Sequence, residues 1–317
     1  MNLSIVVPCY NEEAVLLETA TQLAALLVRL CERGMVASDS HVLFVDDGSR
    51  DRTWSIIESL AQRSSRYRGL KLSRNFGHQN ALMAGLLHAE TDITISLDAD
   101  LQDEVTAIEL MIDAHAAGAD IVYGVRKSRS TDSWFKRGTA QSYYWLLGRF
   151  GVDIVYNHAD YRLMSRRAVA ALAEYGESNL FLRGIIPQLG FPSSVVQYNR
   201  AERHAGQSKY PLRKMLALAW QGITSFSSAP LRLITMIGTI VSLGSLCFSG
   251  WALWIWLFTN NAIPGWTSTV VPLYFLGGVQ LLSIGILGEY VAKIYSETKR
   301  RPAFFVERQV GFKESTL

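Results

Sequence analysis

The chain opens by alternating short apolar runs with longer segments whose apolar residues recur at helical spacing. Leu3 to Pro8 and Val42 to Val45 are compact apolar runs, the first read as a buried strand, Leu70 to Leu72 and Ile121 to Tyr123 are further strand candidates, and Ile93 to Leu97 alternates like a half-buried strand. Between the first two, Leu16, Ala20, Leu23, Leu27 and Leu30 share one face of a helix. Asn11 can cap that helix, with Glu12 and Glu13 in its first turn. Trp54 to Leu60, Gln79 to His88 and Thr106 to Ala116 are further helical stretches. This alternation predicts an α/β domain, a parallel sheet with helices on both faces, whose ligands sit at the carboxyl ends of the strands. Pro8-Cys9-Tyr10, Asp46-Asp47 and Asp98-Ala99-Asp100 all fall at such ends.

Beyond Tyr123 the pattern loosens. A basic and aromatic stretch, Trp134-Phe135-Lys136-Arg137, leads into a helix, Ser165 to Tyr175 reads as another, and Val195 to Tyr198 as an edge strand. From Pro211, the residues Leu212, Met215, Leu216, Ala219, Ile223 and Phe226 keep helical spacing while Arg213, Lys214 and Gln221 lie off that face. Such a segment suits a helix lying in a membrane interface, or one packed on the preceding domain. No charged residue occurs from Leu233 to Gly288. Leu233 to Phe258 and Val270 to Leu287 are each expected to span a bilayer, with Trp251, Trp254 and Trp256 as an interfacial belt. Arg213, Lys214 and Arg232 before this hairpin, and Lys293, Lys299, Arg300 and Arg301 after it, place both ends in the cytoplasm by the positive-inside rule. The expected organisation is a catalytic domain over 1–210, an interfacial helix over 211–230, a two-helix transmembrane hairpin over 231–295 and a cytoplasmic tail over 296–317. No signal peptide is expected at the amino terminus.

Composition agrees with this division. Charged residues make up 19% of the 317 and the mean hydropathy is +0.12, the first lowered and the second raised by the uncharged region. A net charge of +3 without a basic arm argues against a nucleic-acid partner. Cys9, Cys31 and Cys247 are odd in number and lack metal-type spacing, so neither a disulfide framework nor a zinc site is expected, in keeping with a reducing compartment.

The chemistry concentrates at Asp98 and Asp100. One residue apart at a strand end, the two carboxylates point to the same side, and they repel unless a cation lies between them. A divalent ion with oxygen ligands is the economical solution, Gln102 offers one more oxygen, and phosphate oxygens fill the open positions. The alternative is a solvated acidic turn. Asp46-Asp47-Gly48-Ser49 is either a turn or a carboxylate pair that accepts from a base N–H or a ribose hydroxyl. Neither G-x-x-x-x-G-K-[ST] nor any G-x-G is present, which excludes a P-loop and a dinucleotide fingerprint. The six histidines lack H-x-H and H-E-x-x-H spacing and receive no role.

Val6-Val7-Pro8-Cys9-Tyr10-Asn11-Glu12, Val45-Asp46-Asp47-Gly48-Ser49, Leu97-Asp98-Ala99-Asp100-Leu101-Gln102, Gly124-Val125-Arg126 and Gly206-Gln207-Ser208-Lys209-Tyr210 occur in that order, before the two expected spans. Together they resemble the polyprenyl-phosphate glycosyltransferases, inverting GT-A enzymes of glycosyltransferase family 2 related to dolichyl-phosphate mannose synthase. Within that group the pattern is most similar to the bacterial bactoprenol glucosyltransferases. The resemblance implies a GT-A domain with a Rossmann-like, mostly parallel sheet. It implies that Pro8, Tyr10, Glu12, Val45, Asp46, Asp47 and Ala99 bind the nucleotide, that Asp98, Asp100 and Gln102 hold Mg2+ or Mn2+, and that Arg126, Arg203 and Lys209 bind phosphate. Asp160 matches an acid that is either a base or acceptor-site residue, or half of a structural pair with Arg162. Arg137, beside Trp134 and Phe135, is either a further cation for a lipid phosphate or a snorkelling surface residue.

The implied reaction moves glucose from UDP-glucose to undecaprenyl phosphate with inversion, at the bacterial inner membrane, in a multi-pass protein. GDP-mannose, UDP-N-acetylglucosamine and UDP-4-deoxy-4-formamido-arabinose are alternative donors. A non-catalytic membrane scaffold is the alternative of another class. A processive synthase would resemble proteins carrying Q-x-x-R-W, and this chain has no Arg-Trp pair. Two lone spans would leave packing faces for a homo-oligomer.

Overall fold

The computed structural model describes residues 1–100, 102–127, 158–177, 181–198, 229–258 and 265–312. In chain order its elements are β1 (Leu3–Cys9), α1 (Leu16–Glu32), β2 (His41–Asp46), α2 (Thr53–Arg63), β3 (Tyr67–Leu72), α3 (His78–His88), β4 (Ile93–Ser96), α4 (Ala107–Ala116) and β5 (Ile121–Arg126). After them come β6 (His158–Ser165), α5 (Arg166–Ala173), α6 (Leu182–Gln188), β7 (Ser193–Tyr198), α7 (Ala229–Phe258), α8 (Trp266–Thr298) and β8 (Val306–Val310). Two compact units result. One comprises 1–148, 153–210 and 300–317, the other 149–152 and 211–299.

Each apolar run of the amino-terminal half becomes a strand of one sheet, ordered β7-β5-β6-β4-β1-β2-β3-β8. β1, β2 and β4 are buried on both faces, β4 included, although Thr94 and Ser96 alternate with its isoleucines as in a half-buried strand; it is covered on both sides because it lies inside the sheet between β1 and β6. Leu3, Ile5 and Val7 join Leu16, Leu23, Leu27 and Leu30 of α1 and Ile108 and Met111 of α4 in one cluster. On the other face α3 comes close through Gly85, where a Cβ would stand 2.3 Å from Val6 Cγ1 and 2.8 Å from Val45 Cγ2. Helices therefore cover both faces, as the alternation predicts, in a GT-A-like α/β fold.

The sheet is mixed. β1 pairs in parallel with β2 and β4, as do β2 with β3 and β5 with β7. β6 runs antiparallel to both β4 and β5, and β8 antiparallel to β3. Neither antiparallel strand is visible as an apolar run. β6 interrupts its apolar residues with Asp160 and Arg162, both buried, and three of the five residues of β8 are exposed. β8 falls in the segment expected as a tail. It instead covers the free edge of β3, where Gly69 leaves room for Val310 Cγ1, 2.8 Å from where its own Cβ would be.

The start of α1 also differs. Asn11 does not cap it: its φ is +56°, and the helix begins at Leu16. Asn11 instead takes the N–H of Arg50 on its Oδ1 (2.9 Å) and donates its own N–H to Ser49 Oγ (2.9 Å). The N–H groups of Glu12 and Glu13 reach Thr53 Oγ1 and Asp51 Oδ2. Donors read as a helix first turn are spent on stitching the loop after β1 to the loop after β2.

In the second unit, α7 and α8 run for 30 and 33 residues. Among the described residues one segment, Phe275–Thr298, is long and apolar enough to cross a membrane. It overlaps the expected second span, Val270 to Leu287, over 275–287 and extends past it. The expected interfacial helix falls almost wholly outside the described residues, as do Arg203, Lys209 and the stretch Trp134 to Arg137.

Candidate active site

β1 lies between β2 and β4, so the sheet order reverses beside it, and that reversal opens a crevice at the carboxyl ends. Tyr10, Asp47 and Asp98 follow three adjacent strands, whose spacing of about 4.8 Å gathers their ends within roughly 10 Å. Pro8 and Val45 are register partners at the floor of this crevice, and Cys9 pairs with Asp46. Tyr10 is exposed, while Pro8, Val45, Asp46, Asp47 and Ala99 are buried.

The acidic turn after β4 is anchored from behind. Leu97 N–H donates to Val6 O (3.0 Å), and Thr19 of α1 donates its hydroxyl to Ala99 O (2.8 Å). Ala99 is thereby held inward, and the flanking Asp98 and Asp100 stay only half-buried. Asp100 Oδ1 accepts the N–H of Gln102 (3.3 Å), whose side chain is buried. Behind the turn, Asp103 Oδ1 accepts from Tyr198 Oη (2.6 Å), and Tyr161, stacked edge-on against Tyr198, donates its hydroxyl to Glu104 O.

Asp98 meets a crowd of negative charge. Burial, and then the carboxylates of Asp160, Asp103 and Asp100, push its pKa up against the pull of His78. This is the electrostatic demand that a divalent cation answers, and the hard oxygen donors suit Mg2+ or Mn2+. Among the described residues no three His, Cys, Asp or Glu side chains converge on one point, so such an ion would draw further oxygens from its ligand.

The structure brings Asp160 to this centre and surrounds it with donors. Antiparallel pairing sets Arg162 opposite Ser96, and Ser96 Oγ donates to the Asp160 carbonyl. The Asp160 carboxylate takes Arg162 Nη2 (2.5 Å) and Arg183 Nε (3.2 Å) on Oδ1. On Oδ2 it takes Arg183 Nη2 (3.1 Å) and Gln79 Nε2 (3.4 Å). His78 Nε2 lies 3.5 Å from Asp160 Oδ2 and 3.7 Å from Asp98 Oδ1, bridging the two acids. Although burial works the other way, His78 and the two guanidinium groups hold the Asp160 carboxyl well below its usual range. His78 in turn, against its own burial, is raised by the two carboxylates.

His78 corrects the expectation that no histidine has a place here. Its signal was not a motif but a position, the first residue of α3 after the chain has crossed back to the crevice. Gln79 and Arg183 were missed for the same reason. The Asp160–Arg162 pair, the structural alternative for that acid, does form, because residues two apart on β6 share a face.

On the nucleotide side, Asp47 is already committed to backbone. Its Oδ1 accepts Phe76 N–H (2.7 Å) and its Oδ2 accepts Gly77 N–H (2.9 Å), while its own N–H donates to Cys9 O. Burial raises its pKa against these two donors. Gly48, at φ +67°, permits the approach: a Cβ there would stand 2.5 Å from the Arg74 carbonyl carbon. Asp46 is fully buried, accepts Ser49 N–H on Oδ1 (3.1 Å), and has no partner for Oδ2 among the described residues. Arg126 ends β5 opposite Tyr198, two strands away from β4.

Residues 4–173 match the sequence model of glycosyl transferase family 2. The chain is 48% identical over 307 residues to an uncharacterized glycosyltransferase of Bacillus subtilis, YkoT, covering 96% of this chain and 91% of that one. It is 41% identical over 310 residues to the bactoprenol glucosyl transferase of Shigella phage SfV, with 98% and 99% covered. Against the prophage bactoprenol glucosyl transferase homolog of Escherichia coli it is 40% identical over 309 residues, with 97% and 99% covered.

Proposed function

This chain belongs to glycosyl transferase family 2 and is a glycosyltransferase, and from that membership we propose that it moves glucose from UDP-glucose to undecaprenyl phosphate. The observation that carries the specific reading is the similarity to bactoprenol glucosyl transferases across nearly the whole chain, the long helices included.

In the proposed reaction an oxygen of the acceptor phosphate attacks the anomeric carbon on the face opposite the diphosphate. The new carbon–oxygen bond forms as the bond to the β-phosphate oxygen breaks, UDP leaves with the electron pair, and the anomeric configuration inverts. A phosphate monoester has a second pKa of about 6, so near neutrality it is already mostly a dianion and needs no base. What the site must do is let two anions approach one carbon. Asp98, Asp100 and the Gln102 amide would hold Mg2+ or Mn2+, whose charge offsets that of the departing diphosphate. Pro8, Tyr10, Glu12, Val45, Asp46 and Ala99 would line the nucleoside pocket. Asp47 would shape it by holding the backbone of residues 76 and 77. Arg126, Arg203 and Lys209 would meet phosphate oxygens.

A membrane setting supports the acceptor. Along α7 and α8, Ile240, Leu243, Trp254, Leu273, Leu281, Leu282 and Ile284 are all exposed, an apolar surface that a bilayer would cover. We read the two helices as a hairpin in the bacterial inner membrane with the catalytic unit on the cytoplasmic side. Anchoring there raises the effective concentration of an acceptor confined to the bilayer.

The test is a panel of labelled nucleotide sugars given to membranes containing the chain and undecaprenyl phosphate. Label from UDP-glucose entering the organic phase supports the reading. Label from GDP-mannose, UDP-N-acetylglucosamine or UDP-4-deoxy-4-formamido-arabinose alone replaces the donor, and none from any donor rejects the transfer.

A further inference from the structure

We propose that Arg183 is a phosphoryl-binding residue of the reaction centre and that Asp160 is the positioning residue that aims it, not a base. The inference rests on the glycosyl transfer proposed above and adds residues to it.

The centre has two layers. Underneath, the side chains of Asp160 and Arg162 are 7% and 1% exposed. Above them, Arg183 is 39% exposed, His78 44% and Asp98 40%, so these three reach the surface around one buried carboxylate. Arg183 sets its Nε–Nη2 edge against both oxygens of Asp160, the bidentate geometry that fixes a guanidinium in a plane. Its helix is fixed as well, since Leu182 N–H donates to Gln79 Oε1 (3.3 Å) while Gln79 Nε2 reaches Asp160. A cation held this way loses little freedom when an anion docks on it.

The arrangement also argues against a proton acceptor. Both Asp160 oxygens already receive guanidinium donors, and the carboxylate lies beneath the residues that reach the surface. Arg162 and Arg183 against the single Asp160 carboxylate leave one positive charge over at this centre, and His78 links that centre to the acidic turn through Asp160 and Asp98. The chemistry that fits is a phosphoryl oxygen, from either a phosphate monoester or a diphosphate.

The test uses the full chain in detergent as wild type, Arg183→Gln, Arg183→Lys, Asp160→Asn and the double variant Asp160→Asn/Arg183→Gln. Initial rates give KM for the nucleotide sugar and for polyprenyl phosphate, and calorimetry gives the affinity for inorganic phosphate and for pyrophosphate. Loss of a charge-assisted contact is expected to raise one KM roughly 10- to 100-fold in Arg183→Gln, with less effect in Arg183→Lys. The acceptor KM and phosphate affinity change if Arg183 meets the monoester; the donor KM and pyrophosphate affinity change if it meets the diphosphate. Asp160→Asn is expected to raise the same KM, and the double variant to be no worse than Arg183→Gln, because the two residues act as one. Arg183→Gln with both KM values and both affinities within twofold of wild type overturns the proposal, and Arg183→Met, which also removes the charge, decides by the same limits should the glutamine variant not fold. Asp160→Asn that lowers turnover more than about 100-fold while both KM values stay unchanged assigns it as a base and also overturns the proposal. A wild type that moves no sugar defeats the glucosyl reading alone, since both titrations still report on Arg183.

Discussion

Thr19, in the second turn of α1, donates its hydroxyl to the carbonyl of Ala99 at 2.8 Å and so ties the first helix to the residue between the two acids. Thr19 is fully buried, and so is the bond. Thr19→Val keeps the shape and leaves a buried carbonyl unsatisfied. The expected outcome is a loss of about 1–3 kcal/mol in stability by denaturant titration, together with a raised KM for the donor. An unchanged KM at the same loss of stability would mean that the tie serves folding only.

Gly48 brings the loop after β2 against the backbone of Arg74 and Asn75, at a φ of +67°. Gly48→Ala adds strain of roughly 1–3 kcal/mol and a clash with main chain that cannot swing away. The variant is expected to melt lower and to bind the nucleotide more weakly, because the Asp47 contacts to Phe76 and Gly77 depend on that approach. Isothermal titration with UDP reads the second effect.

His41 predicts an acid limb in stability. Burial, then the nearby Arg68 charge, lowers its pKa to about 4 from an ordinary 6.5. The folded state therefore holds it neutral, while the unfolded state binds a proton more readily between those values. Its contribution is complete above pH 6.5 and is lost as the pH falls toward 4, at up to about 1.4 kcal/mol per pH unit. His41→Gln cannot take up that proton, so denaturant titrations across this window should show a flatter slope than wild type. An identical slope would assign the acid sensitivity to other groups.

Removing residues 306–317 uncovers the edge of β3 and takes away Glu307, the partner of Lys71 at 3.1 Å. An exposed strand edge invites association between chains. The truncated chain is expected to melt several degrees lower and to elute as larger species on size exclusion. Coincident melting and elution would show that β8 adds nothing to the sheet.

What could be read from the amino acids alone follows from how each element is buried. β1 and β2 stand in the middle of the sheet with both faces covered, so their sequences are mostly apolar, while β4, Ile93-Thr94-Ile95-Ser96, alternates as a half-buried strand would and is nevertheless buried throughout. The position of the acidic turn at a strand end was equally plain, whereas the residues alone leave a metal site and a solvated turn as alternatives. β8 was hidden because an edge strand needs only intermittent apolar contact, and β6 because Asp160 and Arg162 break its apolar pattern while pairing with each other inside the fold. Arg183 and His78 come from segments 23 and 82 residues away from Asp160, and nothing local marks either one. Asn11 had the composition of a cap and the surroundings of a loop brace. The neighbouring loop settled the matter, and it is invisible to any window around Asn11.

The central claim is that Asp98 and Asp100 serve a metal-assisted transfer of glucose to a polyprenyl phosphate. It is tested most directly by the rate at which labelled glucose passes from UDP-glucose to undecaprenyl phosphate in wild type, Asp98→Ala and Asp100→Ala. The account predicts that both variants stay folded and membrane-bound, that each loses at least roughly 100-fold in turnover, and that wild type falls to the same level with EDTA and recovers with Mg2+ or Mn2+. Turnover in either variant equal to that of wild type would contradict it.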